Sequence, residues 1–289
     1  DMVEQNNKLI SGPLPNEYNG DQTSRQQWEA ISRGLSRLDN RLPYIACQGN
    51  HDLGHIAAEY RYSMMPDYIY PERNIQFEKT LVSTGTNYEG IHTMENAAFE
   101  FENETWGKLL VIVFEFAPRD EALDWARQLI ESDRFKNHTV IILTHSFLLN
   151  NGERIVNEGY KLTPRNWAQA VWDKLVYPSK NIKLVLCGHT GTPPQMNGSE
   201  KVDYHTTTAC RVDPAADGHK VVQMMFNSQS GDGSWNGNGG DCWLRILEFK
   251  PDGKTIGIRT FSPLFALSRR TQHMAWRTDA YDQFSITIE

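Results

Sequence analysis

Three short apolar runs each stop at a small polar cluster, and that repetition constrains the fold more than any other feature of the chain. Leu42-Pro-Tyr-Ile-Ala-Cys47 gives way to Gln48-Gly49-Asn50-His51-Asp52, Thr139 to Leu143 gives way to Thr144-His145, and Ile182 to Cys187 gives way to Gly188-His189. A run of β-branched and aromatic residues that ends at a glycine or a polar residue reads as a buried strand closing in a tight turn. In open α/β sheets ligands bind beyond the carboxyl ends of the strands, where the connecting loops gather. Strands that end this way bring amide, carboxylate and imidazole groups to one edge.

The segments between these runs carry helical spacing. Trp28, Ile31, Leu35 and Leu38 recur along Asp21 to Asn40, after a loop from Ser11 to Gly20. A strand from Leu109 to Phe116 is followed by a helix from Arg119 to Ser132, with Leu123, Ala126 and Leu129 on one face. Thr163 reads as an N-cap and Pro164 as the first helical residue of a further helix, whose face is Trp167, Ala170, Val171 and Leu175. Such alternation predicts a largely parallel sheet with helical layers outside. After Tyr204 the pattern becomes strands alone, at Val221 to Phe226, Trp243 to Phe249, Thr255 to Phe261 and Phe284 to Ile288, with Pro251-Asp-Gly253 as a hairpin turn. Between them, Gly231 to Asp241 is a glycine- and asparagine-rich loop. The expectation is one domain over 1–289, with an α/β part over 1–204 and a mainly antiparallel part over 205–289.

Composition narrows the function. A formal charge of −7 gives no general attraction to phosphate backbones, so nucleic acid is not expected as a partner. The longest apolar run, Leu109 to Phe114, is far short of the roughly 20 residues of a membrane-spanning helix. Cys47 and Cys187 fall in predicted buried strands, Cys210 and Cys242 in the loop-rich part, and their spacing fits no metal motif. The chain opens on Asp1-Met-Val-Glu4 without a charged-then-apolar leader.

Imidazoles, a carboxylate and an amide oxygen are a ligand set that suits zinc, manganese or iron. The glycines beside them let backbone approach a bound ion closely. In the order and strand context of Gly49-Asn50-His51-Asp52, Thr144-His145 and Gly188-His189, the sequence resembles the calcineurin-like metallophosphoesterases. The resemblance implies a four-layer α-β-β-α sandwich of two mixed sheets. It implies that Asn50, His145 and His189 bind one divalent metal, that Asp1 bridges to a second, and that His51 is the acid. The activity implied is hydrolysis of a phosphomonoester or phosphodiester by metal-activated water, using manganese, zinc or iron.

Two departures stand out. The family's first block, Asp-x-His, has no counterpart before Asp1, so the reading is a truncated or processed chain lacking its first strand. Gly191 stands where the family's last histidine falls, which supports an alternative, a degenerate member that binds a phosphorylated or glycan ligand without turnover. Glu4 occupies the position of the iron-binding tyrosine of purple acid phosphatases, which argues against that type of site. Residues 243–263 look like the closing segment of an often exported branch, so export and a small-molecule, glycan or lipid phosphoester are expected.

Four more residues are candidates. Asp52 follows His51 directly, and a carboxylate beside an imidazole favours and orients its protonated form. His55 lines the same cleft if a helix begins there. Asn227 and Gln229 follow a strand and can reach the cleft as substrate contacts.

Overall fold

The computed structural model describes residues 1–7, 22–191, 207–227 and 240–289. Among these, seven strands form one mixed sheet: β1 (Leu81–Thr86), β2 (His92–Asn103), β3 (Gly107–Val113), β4 (Thr139–Leu143), β5 (Ile182–Cys187), β6 (Thr208–Pro214) and β7 (Lys220–Phe226). Their spatial order is β1-β2-β3-β4-β5-β7-β6. β3, β4, β5 and β7 run parallel, while β1, β2 and β6 pair antiparallel with their neighbours. The carboxyl ends of the four parallel strands therefore share one edge, and β2 begins at that edge.

Parallel neighbours need crossovers, and helices supply them. α1 (Ser24–Leu35) precedes the sheet, α2 (Asp120–Glu131) joins β3 to β4, and α3 (Ala168–Val171), prolonged by the π-helical turn Trp172–Val176, lies between β4 and β5. Asp120 and Glu121 sit in the first turn of α2, where acidic side chains oppose the helix dipole. Its buried face, Ala122, Leu123, Ala126 and Ile130, packs with Ala98, Leu110, Ile112, Val140 and Ile142 on one side of the sheet.

A second, antiparallel sheet and α1 share the opposite side. In that sheet β9 (Thr255–Phe261) pairs with β8 (Leu244–Phe249), β10 (Trp276–Arg277) and β11 (Phe284–Thr287). Ile256, Ile258 and Ile286 interleave with Ile141, Leu184, Val222 and Met224 of the first sheet. Each such side chain contributes about 1.5–3 kcal/mol by leaving water. α1 opens on a capping box, in which Gln26 N donates to Thr23 Oγ1 and Thr23 N donates to Gln26 Oε1. It buries Trp28, stacked on Tyr68, over a core that includes Ala97, Phe99 and Val113.

Several sequence expectations shift. Residues 43–49 run extended without a ladder partner among the described residues, and Tyr44 to Cys47 pack under α1 instead. The helix expected from Pro164 starts at Ala168, because the Pro164 carbonyl accepts from Arg61 and Asn166 Nδ2 reaches Pro118 O and Asp120, fixing 163–167 as a loop. β6 and β7 belong to the first sheet, so the change of pattern at 204/205 is not a change of sheet. The second sheet is antiparallel in all its pairings. The hairpin at Pro251-Asp-Gly253 forms as expected, with Asp252 Oδ1 accepting from Lys254 N and Thr255 N.

Under the second sheet, buried Asp282 faces two buried guanidiniums. Arg277 Nε donates to Asp282 Oδ2 at 2.8 Å, and Arg245 Nη2 lies 3.5 Å from Asp282 Oδ1. Removing one partner of a buried charge group leaves the others uncompensated. Asp282→Ala is expected to cost about 3–5 kcal/mol, read as a lower urea midpoint at unchanged slope.

Candidate metal centre

The turn after the extended segment places the first ligand. Asn50 to Asp52 form one 3₁₀ turn, and Asn50 is buried. His145 follows β4 and His189 follows β5, so both imidazoles leave the same sheet edge. His145 Nε2 lies 3.1 Å from Asn50 Oδ1, 3.1 Å from His189 Nδ1 and 3.5 Å from Asp1 Oδ1. Donor atoms of Asp1, His145 and His189 all lie within 4.8 Å of one another.

Asp1 is held there by a network that its sequence position conceals. Asp52 is buried, and its carboxylate accepts from Met2 N, Val3 N and Gly49 N at 2.8 to 3.0 Å. Glu4 N donates to Gln27 Oε1 of α1, and His51 N donates to Asp1 Oδ1 at 2.9 Å. Asp52 therefore ties the opening segment to the Gly49 turn, and the expectation that it orients the His51 ring is corrected. The ring is set by Glu4, whose carbonyl oxygen lies 2.8 Å from His51 Nδ1 and whose Oε1 lies 3.9 Å away.

His189 is fixed by two contacts. Its Nε2 lies 2.9 Å from Glu158 Oε1, and Ser146 Oγ donates to the other oxygen of that carboxylate. Its backbone stands at φ +65, a left-handed conformation, and its carbonyl accepts from Asn227 Nδ2 at 2.8 Å. Asn227, expected as a substrate contact, supports the backbone of a ligand residue. His55 is exposed on a turn anchored by Glu59, with no helix beginning there. Gln229 lies outside the described residues.

The donor set fits a cation. With Nε2–H given to Glu158, His189 Nδ1 presents a lone pair. Burial holds the His145 pKa well below the ordinary imidazole value, so its ring stays neutral. One Nε2 proton at most faces three electron-pair donors, and a hard or borderline divalent ion satisfies such a group. Behind it, Phe116 meets the rings of His145 and His189 edge-on.

A family description matches residues 13–193, that of the calcineurin-like phosphoesterases. The chain belongs to this family. Calcineurin-like phosphoesterases are metal-dependent hydrolases of phosphoesters, and the group of Asp1, His145 and His189 offers ligands of the kind they use. The chain is also 24% identical over 276 residues to the Bacillus subtilis (strain 168) protein YvnB, described as uncharacterized. That match covers 93% of this chain and 18% of YvnB.

Glu158 was missed in the sequence because it stands in a loop with no motif around it. Partners of the second ring nitrogen orient a ligating histidine and raise its basicity. Glu158→Ala is expected to weaken metal affinity about 10–100-fold, measured by competition with a chelating dye.

Proposed function

We propose that the protein hydrolyses a phosphomonoester or phosphodiester at the edge formed by Asp1, Asn50, His51, His145 and His189. One observation carries this reading: donor atoms of four side chains converge where too few protons exist for them to hydrogen-bond with one another. Asn50, His145, His189 and Asp1 would hold manganese, zinc or ferrous iron, and Asp1, with two carboxylate oxygens, is the residue suited to share a second cation. A bound divalent ion withdraws charge from phosphoryl oxygens and acidifies water for attack at phosphorus.

The chain's residues do the rest. As the oxygen of water bonds to phosphorus, the bond from phosphorus to the departing oxygen breaks, and that oxygen needs a proton. His51 is the donor: with Nδ1–H given to the Glu4 carbonyl, transfer falls to Nε2. The ligands fix the phosphoryl group beside it, which turns proton transfer into a step within one complex.

The test is to strip the protein with chelator, reload it with manganese, zinc or ferrous iron, and measure metal content beside hydrolysis of p-nitrophenyl phosphate and bis(p-nitrophenyl) phosphate. Turnover that follows metal content supports the reading. A loaded protein that hydrolyses neither ester supports the second reading, a binder of phosphorylated ligands. Gly191 favours that alternative, since it offers no side chain two residues after His189.

A further inference from the structure

A separate cavity of about 490 Å³ opens on the same edge of the sheet. It lies between the Asn87–Ile91 turn joining β1 to β2 and the loop at 60–67. Tyr60, Tyr62 and Tyr88 line it with 43%, 41% and 57% of their surface exposed, so their rings are open to a ligand. Asp67 and Glu89 supply carboxyl groups to the same walls, while Glu95 lies behind them, buried, with its oxygens accepting from Gln48 and Thr93 and its pKa pushed up by burial. Arg61 also reaches the lining, but its guanidinium donates to the carbonyl oxygens of Phe116, Ala117 and Pro164 and faces Glu115 at 3.6 Å. The cavity is aromatic and net acidic. In keeping with this, burial and the nearby Asp67 and Glu89 push the Tyr62 phenol pKa up.

The walls are built to stay in place. Asn87 is buried, and its Oδ1 accepts from Glu89 N and Ile91 N at 3.0 Å, which fixes the turn that presents Tyr88. Asn6 Nδ2 donates to Gly54 O and Tyr62 O, and Met64 N donates to Asn6 Oδ1, which fixes the facing loop. A preformed pocket avoids the ordering cost that otherwise weakens binding of a small group.

It also adjoins the metal centre. Gln48 Nε2 donates to Glu95 Oε1 at 2.8 Å, and Gln48 is followed by Gly49 and the ligand Asn50. β2 and β4 are two strand spacings apart, about 10 Å.

We infer that this cavity binds an alkylammonium group, and, on the phosphoesterase reading, that this group is the far end of the substrate's alcohol part. Tyrosine faces attract a desolvated cation through the ring quadrupole, and carboxylates at the wall add Coulomb attraction. The same surface repels phosphate, so the phosphoryl group stays at the metal.

The test uses choline as the group probe, titrated into the metal-free protein by NMR and calorimetry, beside its uncharged isostere 3,3-dimethylbutan-1-ol. Choline is expected to saturate one site, the isostere to bind at least tenfold more weakly, and Tyr88→Ala to weaken choline about tenfold without changing turnover of p-nitrophenyl phosphate. Equal binding of the isostere, absence of saturation by choline, or unchanged affinity in Tyr88→Ala overturns the inference. Choline binding in a protein that hydrolyses no phosphoester upholds the cavity and defeats the phosphoesterase reading alone.

Discussion

Alanine at position 49 is expected to eliminate metal binding and hydrolysis together while the protein stays folded. A Cβ on Gly49 would stand 2.2 Å from Asp1 Oδ1 and 2.8 Å from His145 Cε1, separations that real atoms do not adopt. Neither neighbour can yield without damage. Asp1 is carried by a segment whose next two N–H groups donate to buried Asp52, and His145 is buried against Phe116. Moving either spreads a ligand set whose atoms now lie within 4.8 Å of one another. Misplacing reacting groups by about 1 Å costs on the order of 10²-fold in rate, and the loss of a ligand costs more. Metal content after gel filtration, beside the urea midpoint, decides it. Full metal content in Gly49→Ala would show that the turn relaxes around the methyl group.

The architecture was legible wherever apolar runs were bounded by turn residues. β4 and β5 and the end of each strand in a histidine follow directly from their sequences, because a parallel strand buried on both faces reads as a continuous apolar run. β2 was not legible. His-Thr-Met-Glu-Asn-Ala-Ala-Phe-Glu-Phe-Glu-Asn carries Glu95 and Asn96 in a buried stretch, and only the structure shows that Gln48, Thr93 and the backbone of Glu115 and Thr86 satisfy them. The candidate site divides the same way. Asn50, His145 and His189 could be found because each ends a run, whereas Glu158 is joined to His189 only through space. Asp52 misled because adjacency in sequence is not adjacency of side chains. In a 3₁₀ turn successive side chains point apart by about a third of a revolution, so Asp52 turns inward to the backbone of residues 2 and 3 while His51 turns towards Glu4. The acidic aromatic cavity was invisible for a similar reason, since Tyr60 and Tyr62 meet Tyr88 only when the 60–67 loop is laid beside the β1–β2 turn.

His51→Ala should separate proton donation from metal binding. The grouped ligand atoms are those of Asp1, His145 and His189, so metal content is expected to be unchanged. The rate is not. A positioned general acid contributes about 10²–10⁴-fold, and its worth depends on how badly the departing oxygen needs a proton. An alkoxide is a strong base and leaves poorly without one, whereas p-nitrophenolate is a weak base and leaves almost unaided. His51→Ala should therefore lower kcat for an alkyl phosphoester by about 10²–10⁴-fold and for the p-nitrophenyl ester by far less. The steeper dependence of rate on leaving-group pKa in the variant is the diagnostic, because a ring that merely filled space would reduce both rates alike. Equal losses on the two esters would remove His51 from the proton's path and assign it to binding the phosphoryl group. Glu4 gives an independent check on the same geometry. Its contact with Nδ1 is through the backbone carbonyl, so Glu4→Gln should leave the ring's orientation and the leaving-group dependence intact while removing only the carboxylate 3.9 Å away.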